Sequence, residues 1–324
     1  MHFKLLPGKP ELYHGKEKSR PYFEGWYYKF HSDSLDFDLA VIPGIYRGND
    51  PRDDHSFIQV FYNGKNNFIK FASEEFKATE DAFIIKIGNN EFSDSVMKLD
   101  VKTENLSISA DLQLFSLTPL ETGILSPSIM GPFSYLPGMQ CNHGVISLHH
   151  SVKGKLRING AGFSANDIKG YIEKDWGRAF PDSWLWLQAN GFDNNGKTAC
   201  CMCSIAKIPY AGMKFTGLIA VVSSGDKQYR FATYNFSRIK HFNRIKSGVE
   251  IVLRKFSYTL HIYAESDSFT DLLAPTGTGM DRKIKESLSA NIRWTLKRGS
   301  DVISEFSGNH GGLEISEIDS IINE

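Results

Sequence analysis

The residues best suited to chemistry fall in two stretches. The first is Pro21–Phe30, PYFEGWYYKF. The second is Tyr171–Asn190, YIEKDWGRAFPDSWLWLQAN, which holds Trp176, Trp184 and Trp186. If Tyr22 to Phe30 forms one strand, alternate side chains share a face, and Glu24 stands among Tyr22, Trp26, Tyr28 and Phe30. A carboxylate in such surroundings carries a desolvation cost, which raises its pKa and makes it an acid able to deliver a proton. The alternative is a structural Glu that accepts bonds from a neighbouring Arg or from backbone amides. Glu173 and Asp175 are the further carboxylates set beside tryptophan.

In the second stretch, Trp184, Trp186, Gln188 and Asn190 share one strand face, and Leu185, Leu187 and Ala189 the other. The latter set reads as core. The former joins aromatic surface to amides, which suits a pocket wall that also orients a polar group. Simple packing, with each indole N–H bonded, is the alternative.

The elements that must position these residues are strands. Short apolar runs alternate with polar residues along the chain and are broken by Gly, Asn and Asp. Hairpin turns are expected at Asn63–Gly64, around Lys153–Gly154, at 223–226 and at 298–300. Thr118–Pro137 is apolar and Pro-rich, a loop that either lids a cavity, touches a membrane or tucks against the fold. LLAPTGTGMDRKIKE reads as an irregular loop. Its TGTGM precedes no helix or Lys-Ser/Thr pair, so it makes no phosphate loop. SEIDSIINE at the end reads as a short helix. The chain is therefore predicted to be all-β with very little helix. It would form two consecutive antiparallel barrels, or barrel or sandwich halves, over residues 1–165 and 166–324.

Composition narrows the function classes. The 324 residues are 41% hydrophobic and 13% aromatic, which favours strands and an apolar cavity. Formal net charge is zero, so nothing steers the whole molecule toward nucleic acid. Peripheral membrane contact stays open, since apolar contact needs no net charge. Cys141, Cys200, Cys201 and Cys203 have neither CxxC spacing nor a matched His set, and read as buried thiols in a reducing compartment. The N-terminal stretch lacks the apolar core of a signal peptide, and no run is long enough to span a bilayer as a helix. A cytoplasmic protein, touching membranes at most peripherally, is expected. His143, His149 and His150 have no carboxylate close in sequence, so no metal site is expected from them.

At its motifs the chain resembles the tocopherol cyclase-like family. Tyr22, Phe23, Glu24, Gly25, Trp26, Tyr27 and Tyr28 match that family's F-F-E-G-W-Y-F segment. Glu173, Lys174, Asp175, Trp176, Gly177, Phe180, Pro181, Trp184, Leu185, Trp186, Leu187, Gln188 and Asn190 match its E-K-N-W-G-x-x-F-P-x-x-W-F-W-V-Q-x-N segment, with Asp175 where the pattern has Asn. Leu272–Thr276 and Gly311–Ile315 match two shorter motifs. The resemblance implies a lipocalin-related fold and an apolar, prenylated ligand. It also implies a proton-initiated ring closure of a prenyl hydroquinone to a chromanol, with no cofactor or metal. Glu24, then Glu173 and Asp175, would be the candidate acids. Trp26, Tyr28, Trp176, Trp184 and Trp186 would line the pocket and face a cation, and Gln188 and Asn190 would orient oxygens. A barrel that only carries an apolar lipid or isoprenoid, or one plugged and purely structural, is the competing reading.

Overall fold

Alternating β-branched and aromatic residues leave the chain little but strands to form, and the computed structural model, which describes residues 9–322, is built of them. Residues 1–8, part of the stretch read above for a leader, and 323–324, the end of the expected last helix, lie outside the described residues. The first sheet contains β1 (Tyr22–Ser32), β2 (Phe37–Arg47), β3 (His55–Tyr62), β4 (Lys65–Ala72), β5 (Phe76–Ala78), β6 (Ile84–Ile87), β7 (Asn90–Ser93), β8 (Val96–Lys102), β9 (Ser107–Phe115), β10 (Cys141–Ile158), β11 (Ala161–Ser164) and β12 (Lys169–Gly177). Its order is β4-β3-β2-β1-β12-β10-β9-β8-β7-β6-β5, with β11 on β10. The second contains β13 (Trp184–Phe192), β14 (Thr198–Tyr210), β15 (Met213–Ser224), β16 (Lys227–Ala232), β17 (Arg238–Ile245), β18 (Gly248–Lys255), β19 (Tyr258–Glu265), β20 (Thr270–Ala274), β21 (Arg282–Arg298) and β22 (Asp301–Ser316). Its order is β16-β15-β14-β13-β22-β21-β19-β18-β17, with β20 on β21. A short helix, α1 (Asp319–Ile322), closes the described chain.

All-β with very little helix is thus the observed class. Each sheet wraps one apolar core. In the first, Ile58 and Val60 of β3 share a cluster with Ile85 and Ile87 of β6 and Leu99 of β8. In the second, Leu185 and Leu187 share one with Ile251, Ile262 and Trp294. Neither sheet closes by strand pairing among the described residues, so the expected barrels are curled, open sheets. In the first, the end strands β4 and β5 stay unpaired with each other, β5 being only a three-residue strand.

The chain divides into two compact units, but not at 165/166. One comprises Met1–Thr122, Cys141–Phe180 and Leu273–Lys283; the other comprises Gly123–Gln140, Pro181–Leu272 and Ile284–Glu324. β12 belongs with the first sheet because it pairs with β1 on one side and β10 on the other. The loop after β20 also belongs to the first unit. Leu273 donates its amide to Gln59, and Asn49 donates to the Gly277 carbonyl.

Asn63–Gly64 turns as expected, both residues with positive φ. The hairpin expected at Lys153–Gly154 is absent: β10 runs straight through it, and the turn comes at Asn159–Gly160. Gly154 is there for another reason. Its φ is +126°, and a Cβ would lie 2.1 Å from the Asp111 carbonyl oxygen of β9. Gly160 has φ +84° with nothing near the missing Cβ. Gly154→Ala is therefore expected to destabilise by more than ~2 kcal/mol, and Gly160→Ala by only about 1. Urea melts of the two variants check this, and equal losses would contradict it.

Candidate functional site

The pairing of β1 with β12 brings the two motifs together. Glu24 lies opposite Trp176, Trp26 opposite Lys174, and Tyr27 opposite Glu173. Because a strand's side chains alternate, this register sorts the carboxylates onto two faces. Glu24 shares its face with Lys174; Glu173 and Asp175 point to the other.

On the core face, Glu24 and Lys174 form an ion pair, both side chains fully buried. Glu24 also accepts from the His14 amide at 2.9 Å and from the Tyr22 hydroxyl at 2.5 Å. Lys174 donates to the Leu12 carbonyl and, at 2.9 Å, to Nδ1 of His14. Its ammonium stands 4.5 Å from the Trp26 ring centre and 4.8 Å from that of Trp176. His14 stacks on Trp176, ring centres 4.6 Å apart. Burial acts to raise the Glu24 pKa, but Lys174 and the His14 bond outweigh it and hold the carboxyl down at about 2. Burial brings Lys174 down to about 8, and burial with the neighbouring ammonium lowers His14, which accepts at Nδ1 as a neutral ring. Glu24 therefore has the opposite character from the acid expected of it. It is a fixed anion, the structural alternative, with Lys174 and the His14 amide in place of an Arg. Trp26 and Tyr28 sit at zero exposure in the core cluster, so their faces and that of Trp176 are taken by protein.

On the opposite face, β10 supplies His143 directly across from Asp175. Nδ1 of His143 lies 2.9 Å from Oδ1 of Asp175, and Nε2 lies 3.3 Å from Oε2 of Glu173. Tyr171 donates to Glu173 at 2.5 Å. Burial would lower the imidazole pKa, but the two carboxylates prevail and raise it well above its usual 6.5. The charged ring is thus favoured, with Nδ1 bonded to Asp175 and Nε2 within ion-pair distance of Glu173. These residues offer donors within 4.8 Å of one another, a spacing that a metal could use. Each ring nitrogen faces a different carboxylate, however, so a proton joins the three better than a single ion would. The carboxylate partners that His143 lacks in sequence come from the β10–β12 register. His149 and His150 are held neutral by burial, at about 4 and about 3.

In the second unit, Leu185, Leu187 and Ala189 of β13 enter the core, and Trp184, Trp186, Gln188 and Asn190 take the other face. These four are buried too. Trp184 donates to Glu314 at 2.7 Å, and Gln188 donates to Asn190 at 2.8 Å. Oε1 of Gln188 is a buried acceptor with no protein partner. Burial pushes the Cys200 and Cys203 thiols up to about 12, so they are inert core groups.

Sequence reading missed Lys174, His14, His143, Tyr171 and Glu314. Lys174 had a local signal, since it falls on the same face as Trp176 and would need an anion there. The others depend on strand register between distant segments.

Two open, curled antiparallel sheets, each around its own core, define a two-unit all-β protein, and solved structures share that fold. An AttH-type protein from Nitrosomonas europaea is 13% identical with TM-score 0.51, covering 94% of this chain and 98% of its own. CghA with Sch210972 is 8% identical with TM-score 0.56, covering 91% and 88%. Kievitone hydratase from Nectria haematococca is 11% identical with TM-score 0.51, covering 91% and 90%. At these identities the likeness is one of fold. No curated protein matches the chain. A family model described as tocopherol cyclase-like matches residues 121–317, more than half of the chain, and the chain belongs to that family.

Lys174→Met leaves Glu24 buried without its counter-ion, an expected loss of roughly 3–5 kcal/mol; Glu24→Gln with Lys174→Met should recover much of it. Chemical denaturation of the single and double variants tests this, and a double variant as unstable as the single one would refute it. Because Glu24 titrates near 2 when folded against its ordinary 4.5, its stabilisation is present above pH 4.5 and is lost as pH falls toward 2. In NMR titration the His143 midpoint should lie well above the ordinary histidine value, and Asp175→Asn should bring it down.

Proposed function

We propose that the chain is an acid–base enzyme of the cyclase or hydratase kind, acting on an apolar, unsaturated small molecule. Its reaction is the closure of a prenylated hydroquinone to a chromanol. The observation that carries this reading is His143 set between two carboxylates, 2.9 Å from Asp175 and 3.3 Å from Glu173. Family membership supports the reaction class.

In this reading Asp175, the most exposed member of the cluster, delivers the proton. His143 resupplies it through Nδ1. Glu173, fixed by Tyr171, favours the charged ring until that proton is given up, and the neutral imidazole left behind is recharged when the phenolic hydrogen returns. One alkene carbon gains the proton, the phenolic oxygen bonds to the tertiary cation, and the phenolic hydrogen returns to the cluster. No atom is gained or lost, and no redox cofactor is needed. Water in place of the phenol would give hydration by the same acid. In the second unit, taken by itself, Trp184 and Trp186 offer aromatic surface suited to an apolar tail, and Gln188 an unbonded carbonyl oxygen, with Asn190 holding its amide. Among the described residues no helix is long and apolar enough to cross a membrane.

The test is incubation with a prenylated hydroquinone in heavy water, followed by mass spectrometry. A chromanol carrying one carbon-bound deuterium is expected. Asp175→Asn should cut turnover by about 100-fold or more. Recovery of unaltered lipid from the wild-type protein would defeat the enzyme reading and leave a carrier.

A further inference from the structure

Phe236 and Phe256 are the least economical residues of the second unit. They are 79% and 70% exposed, and their ring centres lie 6.5 Å apart. Both occupy the left-handed backbone region, with φ of 64° and 52°. A bulky residue there is strained where Gly or Asn would not be, and neither ring recovers the cost by burial.

The surroundings are cationic. From Lys227 to Lys246 the sequence has six Lys or Arg and no carboxylate, in a chain of zero net charge. Arg238 and Arg254 are direct cross-strand partners, a like-charge pairing that disfavours the sheet unless an anion lies over it. Arg254 donates to the Phe256 carbonyl, so its guanidinium sits at the foot of that turn. The nearby carboxylates Glu250 and Asp319 are taken by His241 and Arg244.

A second apolar tip is tied to the first. Ile124 and Leu125, 88% and 80% exposed, cap a tight turn closed by mutual bonds between Gly123 and Ser126. Arg230 donates to Ser126 and to the Ser128 carbonyl. The Arg230 carbonyl in turn accepts from Lys255, the residue before Phe256. Aliphatic tips offer nothing for bases to stack on, but they suit a hydrocarbon boundary.

We propose that this edge of the second unit docks on an anionic lipid bilayer. Phe236 and Phe256 enter the interface, and Arg238, Lys240 and Arg254 meet headgroup phosphates. The proposal stands apart from the enzyme reading, since none of these residues belongs to the candidate site.

The experiment is co-sedimentation of the full chain with phosphatidylcholine vesicles, with and without phosphatidylserine. Binding is expected only with phosphatidylserine, weakening as salt rises. Phe236→Asn with Phe256→Asn suits the left-handed backbone and should keep or raise the melting temperature while lowering the partition coefficient at least ten-fold. Arg238→Gln and Lys240→Gln should each lower it on the order of five-fold. A wild-type protein that stays in the supernatant would overturn the proposal. So would equal binding by the double Phe variant, or binding to a duplex DNA probe in preference to the vesicles.

Discussion

Two opposite charges sit inside the first core, and water reaches neither. Such a pair is stable only where other polar groups finish its bonding, because removing two ions from water costs more than their attraction returns. The segment from Glu11 to His14 supplies those groups: a carbonyl, an imidazole nitrogen and a backbone amide. Trp26 adds to the anchoring by donating its indole N–H to the Glu11 carbonyl. The pair thereby ties the N-terminal segment, β1 and β12 into one body. It also sets the register, since a slip of one residue would send Lys174 to the opposite face and strand Glu24. Once that register holds, Glu173 and Asp175 point to the opposite face, where the separate pairing of β10 with β12 brings His143 to them.

Local periodicity made much of the fold legible. The faces of β1 and β13, the turn at Asn63–Gly64, the burial of Cys200, Cys201 and Cys203 (though not of Cys141, which is half-buried) and the final helix all follow from alternation and turn chemistry within a few residues. What failed was long-range. The turn at Asn159–Gly160 was overlooked in favour of Lys153–Gly154, because Gly154 marks close backbone approach and not reversal. Glu24 could be read either as an acid or as a structural acceptor, because its partner lies in a strand 150 or so residues on, and only pairing shows that Lys174 faces it. His143 was set aside for want of a carboxylate on the same grounds. In each case the missing information was which strand lies beside which.

The family's longest motif serves both units. Glu173 to Gly177 ends β12 of the first, and Trp184 to Asn190 is β13 of the second, with the division falling at Phe180 and Pro181. A single run of sequence thus carries a proton-holding cluster on one sheet and an aromatic–amide face on another. That placement explains why the motif reads as dense in chemistry while its members have different neighbours. It also separates the residues by kind: those near Glu24 are filled in by protein, whereas Gln188 retains an acceptor without a protein partner.

The segments of the first unit are interleaved with those of the second, ending with Leu273–Lys283. On a ribosome, that last piece emerges after most of the second unit has been made. The first unit therefore cannot finish before the second begins, and the usual order of one domain after another does not apply. Until residue 273 appears, the buried Gln59 side chain lacks the amide of Leu273, for the time it takes to add nearly a hundred residues. Assembly of this protein is thus a property of the whole chain, and truncation from the C-terminal side would remove part of the unit that begins at the N-terminus.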